Sequence, residues 1–177
     1  DPDTPIAEHI IIGDGNSTTG VLPLTSNQAY SISQQIYTRA EMQQTGDIKS
    51  VSFKYKSGLS APCTRTVKVY LKQTTKEVFA SKTDWLSMTD DADLVYDGNI
   101  TINGIADEWV RIKLNTPFEY TGNNLAVCVY DYTNRVDDQI IFAADVISDA
   151  KAMYYYNWIS PAPLDPSNLT GNGNIPS

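Results

Sequence analysis

The stretch AMYYYNW, residues 152–158, sets three tyrosines and a tryptophan side by side within five positions. Such a run either stacks on something flat, such as a sugar ring, or fills the inside of a sheet. In a strand the side chains alternate, so Ala152, Tyr154, Tyr156 and Trp158 share one face, and Met153, Tyr155 and Asn157 share the other. A sandwich strand buries one face, so the tyrosines fit a core role as readily as a binding one. Trp158 stands apart because it falls where the strand hands over to a proline-rich loop. That is a natural place for a ring-stacking side chain, and Trp158 is the first candidate ligand residue.

The second constellation is YDYTNR, residues 130–135, a strand end running into a polar loop. Asp131, Asn134 and Arg135 have the donors and acceptors to hold vicinal hydroxyls, with Tyr132 as a stacking partner. The competing reading is a turn in which Asp131 and Asn134 bond their own backbone. A third cluster, Asp90, Asp91 and Asp93 in DDAD, offers hard oxygen ligands of the kind calcium takes. It lacks the glycine spacing of an EF-hand loop, so Ca2+ is the only cofactor it raises.

Catalytic chemistry finds little to build on. The single histidine, His9, lies near the N-terminus, leaving Cys63, Cys128 and every serine one possible base among them. The acids supply many carboxylate pairs for a glycoside hydrolase but no motif that selects one. No Gly-rich phosphate loop, CxxC pair, HExxH or GxSxG is present. The expectation is therefore a protein that is not an enzyme. The two cysteines allow one disulfide or two separate thiols. Sequons at Asn16, Asn99 and Asn168 matter only in a eukaryotic secretory protein.

A chain of 177 residues with net charge −8 fits one domain and argues against nucleic acid or anionic membranes, which need a basic footprint. No apolar run approaches the ~20 residues that span a bilayer. The 11 tyrosines against 4 phenylalanines favour half-exposed sheet faces and binding rims, where an apolar ring carries a wet tip.

The elements that must position these residues are strands. Period-two alternation is clearest in residues 48–57, 65–73 and 108–114, with an expected slip near Lys49. Val67, Val69 and Leu71 form one face of the second window, and Val110, Ile112 and Leu114 oppose Trp109, Arg111 and Lys113 in the third. Weaker strand candidates are 9–12, 33–38, 77–81, 94–102, 125–132, 139–145 and 151–157. Thr38 and Glu41 make a capping box for one helical turn, and residues 83–88 are read as another such turn. With no helix long enough to cover a parallel sheet, the fold class is all-β, an antiparallel β-sandwich. Residues 1–8 read as a linker or tail, 9–177 as a single sandwich domain, and 160–177 as its loop-like tail.

In SQQIYTRAEM, SVSFKYKSG, TRTVKVYLKQTTKEVFASKTDWLSMTDDADLVYDGNITI, EWVRIKLNTPFEYTGNNLAVCVYDYT and LDPSNLTG, the order of pieces resembles β-sandwich modules of secreted and surface proteins from Bacteroidetes-group bacteria. These are similar to the cleaved-adhesin domains of gingipains and haemagglutinins and to galactose-binding-like jelly rolls. The resemblance covers roughly residues 30–170. It implies a jelly roll and a place in the secreted or cell-surface space outside the outer membrane. It further implies a non-catalytic role in adhesion or carbohydrate binding. The partners it implies are a glycan or host matrix protein and other domains of a larger surface protein. The alternative is a structural spacer domain of such a protein. A binding site would use Tyr132, Asn134, Arg135 and Trp158 if their loops share one end of the sandwich.

Overall fold

The computed structural model describes residues 9–88, 91–162, 166 and 169–171. Among the described residues nine strands, all paired antiparallel, build two sheets. The strands are β1 (Ser17–Thr19), β2 (Tyr30–Tyr37), β3 (Gly46–Ser57), β4 (Cys63–Thr74), β5 (Leu94–Ile102), β6 (Trp109–Tyr120), β7 (Asn124–Asp131), β8 (Ile141–Ala144) and β9 (Ala152–Asn157). One sheet has the order β1-β8-β3-β6 and the other β5-β4-β7-β2-β9. The chain is an all-β sandwich, as the alternation predicts.

The alternation is realised residue by residue. Val110, Ile112 and Leu114 point into the space between the sheets, while Trp109, Arg111 and Lys113 face outward. Val67, Val69 and Leu71 meet them from β4, each fully buried, and each such side chain stabilises the fold by about 1.5–3 kcal/mol relative to exposure. The expected slip is a register shift between Ile48 and Ser50 in the β3–β6 ladder.

The centre of the five-stranded sheet, β7 and β2, is buried on both faces, which alternation alone does not reveal. In β7 every residue from Leu125 to Asp131 is buried. Its second face, with Ile32, Ile36, Tyr70, Cys128, Tyr130 and Met153, is covered by irregular chain rather than by a third sheet. Phe79, Trp85 and Met88 come from the β4–β5 connection, and Ala162 and Leu169 from the C-terminal segment. Two expected strands are corrected here. Residues 77–81 form no strand, because Phe79 serves as an anchor in this cover, 2 % exposed. Residues 9–12 pair with nothing and run beside the sandwich as irregular chain, and β1 at 17–19 takes the edge instead. Residues 83–88 are also not a helical turn: the tight turn is at Ser81–Asp84, and residues 85–88 run as irregular chain.

The capping box folds as expected. Thr38 caps the one-turn helix α1 (Arg39–Met42), with the Glu41 side chain accepting from the Thr38 backbone and Lys151 clasping Glu41 at 3.1 Å. Burial pushes the Glu41 carboxyl up, but the Thr38 bonds and the Lys151 ammonium outweigh it and hold the group below the usual carboxylate range. A lowered folded pKa contributes stability above the unfolded value that is lost as pH falls through the folded one. Glu41→Gln is therefore expected to cost about 1 kcal/mol or less at pH 7, the pair being partly solvated, with the deficit vanishing in strong acid. Urea midpoints of the two chains across pH 2–7 test this.

Candidate functional site

The β7 and β9 strands both run antiparallel to β2, which lies between them, so their C-terminal ends emerge together. The loops carrying Tyr132, Asn134, Arg135 and Trp158 therefore share one end of the sandwich. They do not form one cluster. Asp131 is fully buried, which corrects the ligand role expected of it, whereas Arg135 is paired with Asp137 while its side chain stays 54 % exposed.

The cause is Arg65, which is 0 % exposed at the start of β4. Its Nε donates to Asp131 at 2.8 Å, and one terminal nitrogen donates to Asp137 and to the Arg135 carbonyl, both at 2.7 Å. The other terminal nitrogen reaches the Gln28 carbonyl. The second Asp131 oxygen accepts from the backbone and hydroxyl of Thr133, closing the turn expected as the competing reading. Arg135 donates to Asp137 at 2.8 Å and to the Thr64 carbonyl, so both guanidinium groups serve the fold. Burial pushes the Asp131 carboxyl up, and Arg65 and Thr133 offset only part of that.

Tyr132 leans away from Trp158, toward the far edge of the sheet. Its ring stacks on Tyr130 at 5.9 Å, Lys68 sits over it, and its hydroxyl donates to Asp97. That hydrogen bond first, and burial second, push its phenol up to about 12. Asn134 takes a left-handed backbone (φ 57°), which asparagine tolerates, and its N–H donates to Ala29. Trp158 is 72 % exposed just past β9, with Ile159 beside it. The aromatic run thus divides. Met153 and Tyr155 join the covered face, Tyr154 and Tyr156 stack on each other at 6.0 Å, and Trp158 projects.

The acidic cluster gives no cation cage among the described residues. Asp93 pairs with Lys72 at 3.3 Å, Asp91 lies in an exposed turn, and Asp90 lies outside the described residues. Cys63 and Cys128 are two separate buried thiols, and burial pushes both up, Cys128 to about 12.

A second concavity lies at the edge of the four-stranded sheet, beside β3 and β8. β8 pairs with β3 only at Tyr55 and Ser57, whereas β3 continues alongside β6 from Gly46 to Lys54. Where β8 leaves β3, a groove of about 600 Å³ opens. One wall carries Phe53, Lys54 and Trp109, and the other carries residues 11–16 and 143–147. Gln35 and Tyr37 close it from β2 and Glu41 from α1. The second wall is held by Asp145, whose carboxylate accepts from the backbone N–H groups of Asp14, Gly15 and Asn16 at 2.8–3.4 Å. Gly13 (φ 85°) makes this possible, since a Cβ there would stand 1.5 Å from the Asp145 carboxylate. Burial, then the nearby charges of Glu41 and Asp145, push the Tyr37 phenol up to about 12.

Trp109 is 47 % exposed at this groove. The signal for it was present in the strand pattern, which turns a tryptophan outward between polar neighbours. Gln35 gave no signal, because only the pairing of distant strands brings it to the groove. A volume in the range of small-ligand pockets, aromatic walls and a few placed polar groups are the ordinary features of a binding site. No protein family, curated protein or solved structure was found to match this chain.

Proposed function

We propose that this domain is a non-catalytic recognition module that binds carbohydrate in the groove between β3 and β8. The observation that carries the reading is Trp109, a half-exposed indole on the wall of a groove whose other polar contacts include Gln35, Tyr37 and Ser52. An aromatic face next to neutral hydrogen-bonding groups is what a sugar ring, apolar on its faces and polar at its rim, requires. The non-catalytic half of the reading is supported by two thiols that burial makes harder to ionise and by a lone histidine that is exposed near the N-terminus. The resemblance to cleaved-adhesin and galactose-binding-like jelly rolls supports the same reading. On this reading the module belongs on the cell surface or in the secreted space, beside other domains, with glycan or host matrix protein as partner.

A spacer role in a larger exported protein is the second reading. It is favoured by Trp158 and Ile159, two adjacent large apolar side chains 72 % and 87 % exposed, as a contact with a neighbouring domain would need.

Calorimetric titration of the chain, Trp109→Ala and Trp158→Ala against a glycan panel separates these readings. Trp109→Ala is expected to fold normally and weaken binding by about 1–3 kcal/mol, the range for stacking on an aromatic ring. Trp158→Ala is expected to bind unchanged. The opposite pattern would move the site to the loop end, and silence across the panel would favour the spacer.

A further inference from the structure

Gln35 lies in the middle of β2, 5 % exposed, with its side chain at the groove. The Tyr37 hydroxyl donates to its Oε1 at 3.3 Å, while its Nε2 has no hydrogen-bond partner among the described residues. Turning the amide over exchanges the two atoms and leaves the other one without a partner, so either orientation presents one unmet group. A buried amide in this state is costly unless something else completes it. A hydroxyl both donates and accepts, so it completes either orientation. A carboxylate completes only one.

The charges around the groove sharpen the choice. Three carboxylates, Asp14, Glu41 and Asp145, line it against one ammonium, Lys54; Glu41 is paired with Lys151 at 3.1 Å and Lys54 lies 3.5 Å from Asp107, which leaves Asp14 and Asp145 with no opposite charge among the lining residues. The whole chain carries −8. An anionic ligand entering here meets like charge with no free cation among the lining residues to receive it.

We infer that the groove selects a neutral pyranose over acidic sugars, with one ring hydroxyl taken by the Gln35 amide. This rests on the carbohydrate reading above and adds to it a ligand class and a specificity-determining residue. A site built to hydrogen-bond a hydroxyl rejects ligands that leave its buried group unmet, so the amide is a selective contact as well as an adhesive one.

The test titrates the 177-residue chain with the methyl pyranosides of glucose, galactose, mannose and N-acetylglucosamine, then with glucuronate, galacturonate and N-acetylneuraminate. Binding is followed by the side-chain amide signal of Gln35 in proton–nitrogen NMR. At least one neutral sugar is expected to shift that signal, with the acidic sugars tenfold or more weaker. Gln35→Met, close in shape, is expected to lose tenfold or more in affinity. Its Tm should stay within the ~2–4 °C that 1 kcal/mol represents in a chain of this size. Equal or tighter binding of the acidic sugars overturns the inference. So does neutral-sugar binding that leaves the Gln35 signal still and survives Gln35→Met, although the carbohydrate reading would then stand through Trp109→Ala. Failure of every sugar to bind removes both. The NMR arm uses the unaltered chain, so it decides the matter even if Gln35→Met fails to fold.

Discussion

An Arg65→Met chain is expected to lose about 3–5 kcal/mol of stability, the largest effect of any single charge removal here, because a buried pair broken on one side leaves an uncompensated ion. Asp131 would keep its Thr133 bonds but lose its only ion-pair partner while fully buried. Asp137 would keep Arg135 and be affected less. The sign with pH follows from burial. The folded Asp131 carboxyl already lies above its usual range, and losing Arg65 raises it further. A raised folded pKa stabilises the protonated form, so its contribution is lost as pH rises through that value. The Arg65→Met deficit is therefore expected to be larger at pH 7 than at pH 4. Urea unfolding at both values, with unchanged slope and a shifted midpoint, is the measurement. Replacing Arg65 and Asp131 together by apolar residues should recover much of the loss, since an absent charge needs no partner. A deficit under about 0.5 kcal/mol for Arg65→Met would show that the network is not held together by its guanidinium.

Trp85→Ala carries the second large effect, about 3–5 kcal/mol for a buried aromatic cut to a methyl. The indole is 8 % exposed between the sheet and the C-terminal segment, and its N–H donates to the Leu169 carbonyl at 3.0 Å. Gly171 packs so closely that an added Cβ would stand 3.0 Å from the ring. Truncation removes both the apolar contact and the donor that fastens the segment. The expected signature is early proteolytic cleavage beyond residue 160 and exposure of Met153 and Tyr130 before the inter-sheet core opens. Cooperative loss of both cores at one denaturant concentration, with no early cleavage, would show that the cover and the sandwich unfold as one unit.

These two residues mark what was legible in the sequence. Period two locates β3, β4 and β6 and sorts their faces correctly, because each of those strands has one face inward to the other sheet. Arg65 shares the inward parity of Val67, Val69 and Leu71, so its burial was readable from register alone. Its partners were not, since Asp131, Asp137 and the Gln28 carbonyl come from two stretches distant from it in the chain. Tyr70 and Cys128 fall on what alternation calls an outer face, and are buried only because Trp85, Phe79 and Ala162 fold across them. Irregular chain has no period, so the cover could not be foreseen. The same limit applies at the loop end: Asp131 and Arg135 have side chains suited to a ligand, and the structure pairs them with Arg65, Asp137 and a strand carbonyl. The groove depends on where β8 leaves β3, a property of pairing between strands more than 80 residues apart.

The central claim is that recognition belongs to the groove and not to the loop end, and amide hydrogen exchange with and without a saturating neutral glycan addresses it most directly. Bound sugar is predicted to slow exchange at residues 11–16, 52–54 and 143–147 while leaving 132–135 and 158–160 unchanged. Protection confined to 132–135 and 158–160 would contradict it.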